Sequence, residues 1–447
     1  MSKRLNINVW RLLVSVFALL LILLFAFAAY GYWRLDENST QTPSTSSTSK
    51  EVSLATITQG AYLAKQANCL GCHTARGGAE YAGGRVMQSE FGNFITPNIT
   101  PDKKSGIGEW SADDFWNALH NGKGKHGQLL YPAFPFVNYT HITRADADAM
   151  YAYFQTVTPV AQANAAHELA FPYNQRFAIS LWRALYFRPG ELKPETNQSL
   201  NWNRGAYLVR GLGHCSACHS ARNQFGANQG SADLSGGEMA RIHWYAPSLV
   251  SKEELNLPAM PAVELDALLK HGANQQRTVV GPMVEVVKNS LQYWNDSDIA
   301  AMREYLQAQK QLVSADQDLI DRSLQRPQVS HEELQRLLDH GQKIYLKHCA
   351  ECHGRSGEGR VGIYPALKAN TAVQLASVTN PVRIILVGGF AANTQGNSRP
   401  YSMPPFAPFL DDTEVALVMT YIRNSWGNKG SVISPSEVNP YRTAPLD

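Results

Sequence analysis

Cys69-Leu70-Gly71-Cys72-His73 is followed along this chain by two further copies of the same pattern, Cys215-Ser216-Ala217-Cys218-His219 and Cys349-Ala350-Glu351-Cys352-His353. Each copy is Cys-x-x-Cys-His, the attachment pattern for c-type haem. Two thiols on one turn can each form a thioether with a haem vinyl group, and the histidine that follows reaches the iron. The three copies use all six cysteines, which argues against a redox cysteine pair, a zinc site or a disulfide framework. The sequence therefore predicts three covalent c-type haems.

The overall composition is that of a protein with packed cores and little excess charge. The chain has 447 residues, is 44% hydrophobic and carries a formal net charge of +3. Such a small charge gives no reason to expect a nucleic-acid partner.

The N-terminus has the order of a membrane segment. Lys3, Arg4 and Arg11 precede an uncharged run over residues 12–29, and aromatic residues flank that run on both sides. This order predicts a membrane helix with its basic end in the cytoplasm. A cleaved secretory signal is the alternative, because Ala26-Phe27-Ala28 could serve as a cleavage site. Both interpretations place the haem motifs on the periplasmic side of the bacterial inner membrane, where c-type haem is attached.

The spacing of the three motifs predicts three similar domains in series. The expected order along the chain is a membrane anchor or signal at 1–37, a Ser/Thr-rich linker at 38–54, a first domain at 55–160, a connector at 161–200, a second domain at 201–312, a linker at 313–330, a third domain at 331–430 and a tail at 431–447.

Each predicted domain also repeats two helical signals. A helix containing a glycine precedes the haem motif, and a helix with capping-box spacing closes the domain, with a tyrosine ten residues after its cap. The glycines are Gly60, Gly205 and Gly341; the cap pairs are Thr143 with Asp146, Asn295 with Asp298, and Asp411 with Glu414; the tyrosines are Tyr153, Tyr305 and Tyr421. Because a glycine lets an aromatic ring approach closely, we expect the two helices of each domain to cross there and to cover one haem edge.

These motifs, in this order, resemble the class I cytochromes c, which are small helical domains around one haem. The whole chain is similar to the triheme cytochrome c subunits of bacterial membrane-bound dehydrogenases, which oxidise alcohols, aldehydes, sugars or sugar acids. The residues that carry this similarity are 95–102, 130–135, 281–283 and 402–406. The resemblance implies an all-α fold of three tandem cytochrome c domains behind one N-terminal transmembrane helix.

The resemblance also implies the groups around each iron. The proximal ligands would be His73, His219 and His353, and the proline carbonyls that accept their second N–H would be those of Pro97, Pro247 and Pro365. Met283 and Met403, each beside a proline in the loop before the last helix, are implied as the sixth ligands of the second and third haems. A thioether ligand raises the reduction potential of a haem.

The first domain departs from this pattern, because the residue in the matching slot is Phe134, which cannot bind iron. His120 and His126, which flank the turn before Phe134, and Met87 are the candidates for its sixth ligand, and a vacant position is the remaining alternative. Histidine ligation would give this haem the lowest potential of the three.

These signals predict an electron-transfer subunit and not an enzyme in its own right. The resemblance implies that a periplasmic catalytic subunit oxidises substrate at a flavin, pyrroloquinoline quinone or molybdenum centre, and that electrons then cross the haems to ubiquinone at the membrane. A terminal oxidase or another cytochrome is the alternative acceptor. The alternative is a haem enzyme, similar to the diheme peroxidases, that uses a five-coordinate first haem. Phe134 is the feature that favours this alternative.

Overall fold

A computed structural model describes residues 9–19, 22, 52–310 and 329–444 of the chain. Most of the anchor predicted at 1–37, and nearly all of the linkers predicted at 38–54 and 313–330, lie outside these residues. Of the apolar run over 12–29, only 12–19 and 22 are described, as helix. Within the described ranges, no helix has the length and apolar character needed to cross a membrane.

Unit 1, residues 52–160, holds the first attachment motif. Its helices are α1 (Leu54–Gln66), α2 (Cys69–His73), α3 (Ala112–Asn121), α4 (Phe136–Tyr139) and α5 (Arg144–Phe154). Strands β1 (Val86–Ser89) and β2 (Gly92–Ile95) form an antiparallel hairpin between α2 and α3. The connector that follows adds a third strand, β3 (Glu168–Leu169), to the free edge of β2.

The connector also contains one amphipathic helix, α6 (Arg176–Tyr186). Arg183 is its most deeply buried charged residue, and its guanidinium donates to the carbonyl oxygen of Asn121 at 2.6 Å. The carbonyls at the end of a helix have no partner within that helix, so this contact satisfies one of them at the end of α3. Phe177 lies on the exposed side of α6.

Unit 2, residues 200–310, repeats the plan of unit 1. Its elements are α7 (Leu200–Tyr207), a π-helical turn (Leu208–Leu212), a 3-10 turn (Cys215–Ala217), the hairpin of β4 (Gly237–Met239) and β5 (Trp244–Ala246), α8 (Ala262–His271), α9 (Pro282–Asn289) and α10 (Asp296–Gln307). Further 3-10 turns lie at Ala240–Ile242, Leu257–Ala259 and Leu291–Tyr293.

Unit 3, residues 329–444, contains the third motif. Its elements are α11 (His331–His348), α12 (Ala350–His353), α13 (Thr371–Gln374), α14 (Thr379–Val387), the short pair β6 (Gly389–Phe390) and β7 (Ser402–Met403), α15 (Asp412–Asn424), α16 (Pro435–Val438) and a final 3-10 turn (Asn439–Tyr441).

The predicted fold class, all-α with one membrane helix, is therefore wrong. The described residues contain short antiparallel strands between the helices, and no described helix could span a membrane. In units 1 and 2 the hairpin lies where the chain returns to the motif histidine, just before Pro97 and Pro247, and in unit 3 the strand pair holds Met403; in each place the two passing segments satisfy each other's backbone groups. The cytochrome c arrangement of helices around each motif is kept.

The expected helix crossings are confirmed in all three units. α1 packs on α5, α7 on α10, and α11 on α15. At Gly205, an added Cβ would lie 2.7 Å from the Cβ of Tyr305 and closer still to the carbonyl oxygen of Ala301. Gly60 and Gly341 meet their partner helices in the same way. Each crossing therefore needs a residue without a side chain.

Units 1 and 2 share one hydrophobic core, to which unit 3 contributes Ala392. The buried apolar residues of the first two units form a single cluster that includes Leu63, Met150, Leu208 and Met302. The main cluster of unit 3 is separate and surrounds Tyr345. The three similar units are thus packed as a pair and a single unit.

Two tyrosines tie the pair together reciprocally. The hydroxyl of Tyr62 in α1 donates to Asp298 at 2.8 Å and accepts from the N–H of Asn295 at 3.0 Å, at the start of α10. The hydroxyl of Tyr207 in α7 donates to Asp146 at 2.5 Å and accepts from the N–H of Thr143 at 3.2 Å, at the start of α5. Each tyrosine thus caps the last helix of the other unit.

The hydrogen bonds of Tyr62 and Tyr207 replace part of the predicted capping boxes in units 1 and 2. Thr143 and Asn295 accept from the N–H three residues on, as expected of N-caps. In a complete box, the third residue would bind the backbone N–H of the cap residue. Here the tyrosine of the neighbouring unit takes that N–H, and of the three predicted boxes only the one at Asp411 and Glu414 in unit 3 is complete.

Replacing Asp298 with asparagine is expected to lower the free energy of unfolding at pH 7 by about 1–3 kcal/mol. Burial raises the pKa of Asp298, but donors from Arg204, Tyr62 and Gln66 outweigh it and hold this pKa below its usual value. A carboxyl whose folded pKa is depressed stabilises the fold above its unfolded pKa, and this contribution disappears as pH falls through the folded pKa.

The measurement is denaturant unfolding of the wild type and the variant between pH 7 and pH 3. The difference in stability should be largest at neutral pH and should shrink below about pH 4. Glu80→Gln, which removes the same charge from an exposed site, is the control. A constant difference across this range would show that the ionised form of Asp298 does not stabilise the pair.

Candidate haem sites

Each attachment motif begins at a sharp change of backbone direction and runs along one helical turn. In the first two motifs, Asn68 (φ 49°) and His214 (φ 38°) adopt the left-handed conformation immediately before the first cysteine. In the third motif, Cys349 itself ends α11 and starts α12. Cysteines three residues apart on such a turn share one face. The two thiols of each motif can therefore reach two neighbouring points on one flat ligand.

Two backbone contacts hold the histidine of each motif. The ring Nδ1 of His73 lies 2.7 Å from the carbonyl oxygen of Pro97, and the backbone carbonyl of His73 accepts from the N–H of Gly83 at 2.8 Å. The other two motifs have the same pair of contacts, His219 with Pro247 (2.7 Å) and Gly236 (2.9 Å), and His353 with Pro365 (2.9 Å) and Gly359 (2.8 Å).

These contacts leave the other ring nitrogen available. Because the proline carbonyl accepts from Nδ1–H, the lone pair stays on Nε2, the atom that would bind a metal. Burial lowers the pKa of His73, His219 and His353, and the proline carbonyl offsets this only in part. The rings are therefore neutral at pH 7, which is the state that a ligand needs.

Burial acts most strongly on the first cysteine of each motif. It raises the pKa of Cys69, Cys215 and Cys349 to about 12, and none of the six cysteines forms a disulfide. These three sulfur atoms are therefore poor redox nucleophiles and poor zinc ligands. No group of three or more metal-binding side chains occurs among the described residues. A thioether is uncharged and suits these sites, so the donor sets fit covalent haem.

The two candidate methionines lie on regular elements and not in the loops where the sequence predicted them. Met283 is the second residue of α9, where Gly281 (φ 56°) packs so closely on Trp244 that a Cβ would lie 2.7 Å from the ring. Met403 lies in β7, opposite Gly389. Both side chains are half-buried against the core of their units. Their role as iron ligands stays a prediction.

The candidates for the sixth ligand of the first haem lie in three different places. His120 stacks on Trp116 with ring centroids 4.3 Å apart, and burial lowers its pKa to about 4. Its Nδ1 is buried without a hydrogen-bond partner. His126 is exposed, and Met87 is half-buried in β1 opposite Phe94. His120 is thus the candidate whose ring is neutral and has an unused nitrogen.

Phe134, in the slot that a ligand would occupy, packs instead on an aromatic side chain. Its ring centroid lies 5.4 Å from that of Tyr139. The Tyr139 hydroxyl donates to the carbonyl oxygen of Ala67 at 2.8 Å, and its ring lies 5.3 Å from that of His214. Ala67 lies two residues before the first attachment motif and His214 lies immediately before the second, so Tyr139 links the segments that lead into the two motifs.

Sequence reasoning missed one residue beside the first motif. Arg85 donates to the carbonyl oxygen of Gly71, inside that motif, at 2.6 Å. Its second nitrogen donates to Glu285 of α9 at 2.7 Å. The glycine pair Gly83-Gly84 immediately before it was the available signal, because glycine is the usual residue where the backbone adopts a left-handed conformation or approaches another segment closely.

Comparison with known proteins places these sites in a family context. The cytochrome c family matches residues 57–158 and 338–426. The gluconate 2-dehydrogenase cytochrome c subunit of Pantoea cypripedii is 35% identical over 390 residues, which cover 84% of this chain and 86% of that protein. The cytochrome c subunit of alcohol dehydrogenase (quinone) from Gluconobacter oxydans (strain 621H) is 34% identical over 400 residues, covering 87% and 82%. The fructose dehydrogenase cytochrome subunit of Gluconobacter japonicus is 32% identical over 408 residues, covering 86% and 82%.

Proposed function

The chain belongs to the family of cytochrome c subunits of gluconate, alcohol and fructose dehydrogenases, and on this premise we propose that it carries electrons over three covalent haems from a dehydrogenase to a quinone. It is an electron-transfer subunit, and oxidation of the substrate belongs to a partner subunit. A bound haem would supply a one-electron couple between ferric and ferrous iron.

The observation that carries the proposal is the threefold recurrence of one histidine environment. The ring N–H of each motif histidine donates a hydrogen bond to a proline carbonyl, and the backbone carbonyl of the same histidine accepts one from a glycine N–H. The lengths of these hydrogen bonds agree within 0.2 Å across the three motifs. A proline carbonyl on Nδ1 fixes the tautomer and the ring plane and strengthens Nε2 as a donor. Because all three histidines are oriented in the same way, the structure supports three haem sites and not one or two.

The relatives support the choice of donor and acceptor. Their names place cytochrome subunits of this kind with gluconate, alcohol and fructose dehydrogenases, and one of these enzymes is named for a quinone. We therefore assign to this chain a catalytic partner of the flavin, pyrroloquinoline quinone or molybdenum type, and ubiquinone as the acceptor. The haem units would lie on the periplasmic side of the inner membrane, where c-type haem attachment takes place.

The haem count is tested by intact mass spectrometry of denatured, fully matured protein. The wild type should carry three haem additions, and a Cys215→Ala/Cys218→Ala double variant should carry two. The ferrous wild type should also be reoxidised by a soluble ubiquinone analogue. Two or fewer additions on the wild type would refute the three-haem proposal, and ferrous protein that stays reduced in the presence of the quinone would refute the choice of acceptor.

A further inference from the structure

Arg85 is held against the first attachment motif by its own backbone. The N–H of Gly83 donates to the carbonyl of His73, the N–H of Gly84 donates to the carbonyl of Thr96, both at 2.8 Å, and the N–H of Arg85 donates to the Thr96 hydroxyl at 3.0 Å. Gly83 (φ 77°) and Gly84 (φ 80°) both have a backbone conformation that favours glycine. The start of the Arg85 side chain is thus fixed relative to His73.

The guanidinium then joins two parts of the molecule that lie 200 residues apart. One nitrogen binds the Gly71 carbonyl between the two cysteines of the first motif, and the other binds the Glu285 carboxylate. Glu285 lies on α9, two residues after Met283. One side chain therefore connects the first attachment motif to the helix that carries the candidate ligand of the second haem.

The contact of Arg85 with Glu285 lies in the interface between units 1 and 2, close to the first two attachment motifs. Asn138, the neighbour of Tyr139 in α4, donates to Ser216 within the second motif at 2.9 Å. α9 packs on α2 across the same interface. Haems bound at the first two motifs would lie on either side of this region, so a charge here can act on electron exchange between them.

The ion pair is too exposed to be explained by stability alone. The side chains of Arg85 and Glu285 are 33% and 40% exposed, and ion pairs of this kind contribute little to the free energy of unfolding. A positive charge beside a haem disfavours the ferric state, which carries one more positive charge, and a negative charge favours it. The two members of the pair therefore act on the haem potential in opposite directions.

We propose that Arg85 and Glu285 are positioning residues that set the reduction potential of the first haem and hold its motif against α9 for electron exchange with the second. The inference rests on the proposed function, since it requires a haem at the first motif. Arg85 touches the motif directly, so its charge dominates and raises the potential. Glu285 partly offsets that charge and fixes the direction of the guanidinium.

The test is a spectroelectrochemical titration of the full-length, haem-loaded protein and its variants Arg85→Gln, Glu285→Gln, the double variant and Arg85→Lys. Arg85→Gln should lower the ratio of ferrous to ferric iron at the first haem, at a fixed applied potential, by about three- to tenfold. Glu285→Gln should raise this ratio by a smaller factor. Arg85→Lys keeps the charge and should leave the ratio within about twofold of the wild type.

The design separates charge from structural damage and from loss of haem. The double variant should lie between the two single variants, and the potentials of the second and third haems should change less than that of the first. Mass spectrometry of each variant establishes whether all haems are present. Missing haem at the first motif in the wild type would refute the proposed function. Full haem loading with no shift, or with shifts of the same sign in Arg85→Gln and Glu285→Gln, would overturn the inference about the pair.

Discussion

Gly205→Ala is expected to lower the free energy of unfolding by about 2–4 kcal/mol, although alanine is the better helix former. Gly205 lies where α7 crosses α10, and a Cβ would lie 2.7 Å from the Cβ of Tyr305. The backbone of Ala301 is still closer and cannot move aside as the end of a flexible side chain could. The two helices must therefore separate, which loosens the core that units 1 and 2 share.

Denaturant unfolding, followed by circular dichroism, measures this effect. Asn201→Ala on the exposed side of the same helix is the matched control and should leave stability unchanged or slightly raise it. A Gly205→Ala variant as stable as this control would mean that the crossing can accept a methyl group and that the recurring glycine has another role.

Met403→Leu is expected to remove one haem's share of the methionine–iron charge-transfer band and to lower the potential of the third haem. Leucine has nearly the same volume as methionine but no atom that can bind iron. Met419→Leu, at a fully buried position of α15 in the same unit, keeps the band if Met403 is the ligand. Met283→Leu with Met302→Leu as its control forms the matching pair in unit 2.

The absorption spectrum of the ferric protein and a potentiometric titration are the measurements. Loss of the band in the control variants, or an unchanged band in both Met283→Leu and Met403→Leu, would show that other side chains bind these irons.

The sequence predicted the features that depend on local spacing. The Cys-x-x-Cys-His turns and the N-caps at Thr143, Asn295 and Asp411 each follow from residues a few positions apart on one helix or turn. Local hydrogen bonds and side-chain periodicity decide such features. The glycine–tyrosine crossings join separate helices and were predicted because the same pair recurs in all three units. The prolines near the histidines were predicted from the resemblance, and the structure places their carbonyls on the histidine rings.

The strands could not be predicted in this way. β6 and β7 have two residues each, and β4 and β5 have three, which is too short for an alternating pattern to appear. They form because the chain passes twice beside each motif or its ligand loop, so tertiary geometry and not strand propensity decides them.

The contacts between units could not be predicted from the sequence either, because they join residues far apart along the chain. Arg85 and Glu285 are 200 residues apart, and Tyr62 and Asp298 are 236 residues apart. One local hint existed, because aspartate replaces the usual glutamate in the capping pairs of Thr143 and Asn295. Aspartate can reach back to its own cap residue, as Asp114 does at Ser111, but Asp146 and Asp298 each bind a tyrosine of the other unit instead.

The reciprocal tyrosines determine which parts of this protein can be exchanged. Replacing unit 1 or unit 2 with a foreign cytochrome domain would abolish both caps at once, since each unit supplies one tyrosine and receives the other. Unit 3 has Lys343 at the position that corresponds to Tyr62 and Tyr207, and neither cap involves it. A chimaera that changes only the third unit keeps both tyrosine caps, but it must also keep the contacts of that unit with unit 2, such as the hydrogen bonds between Asn380 and Tyr245 and between Arg383 and the carbonyl of Ile242.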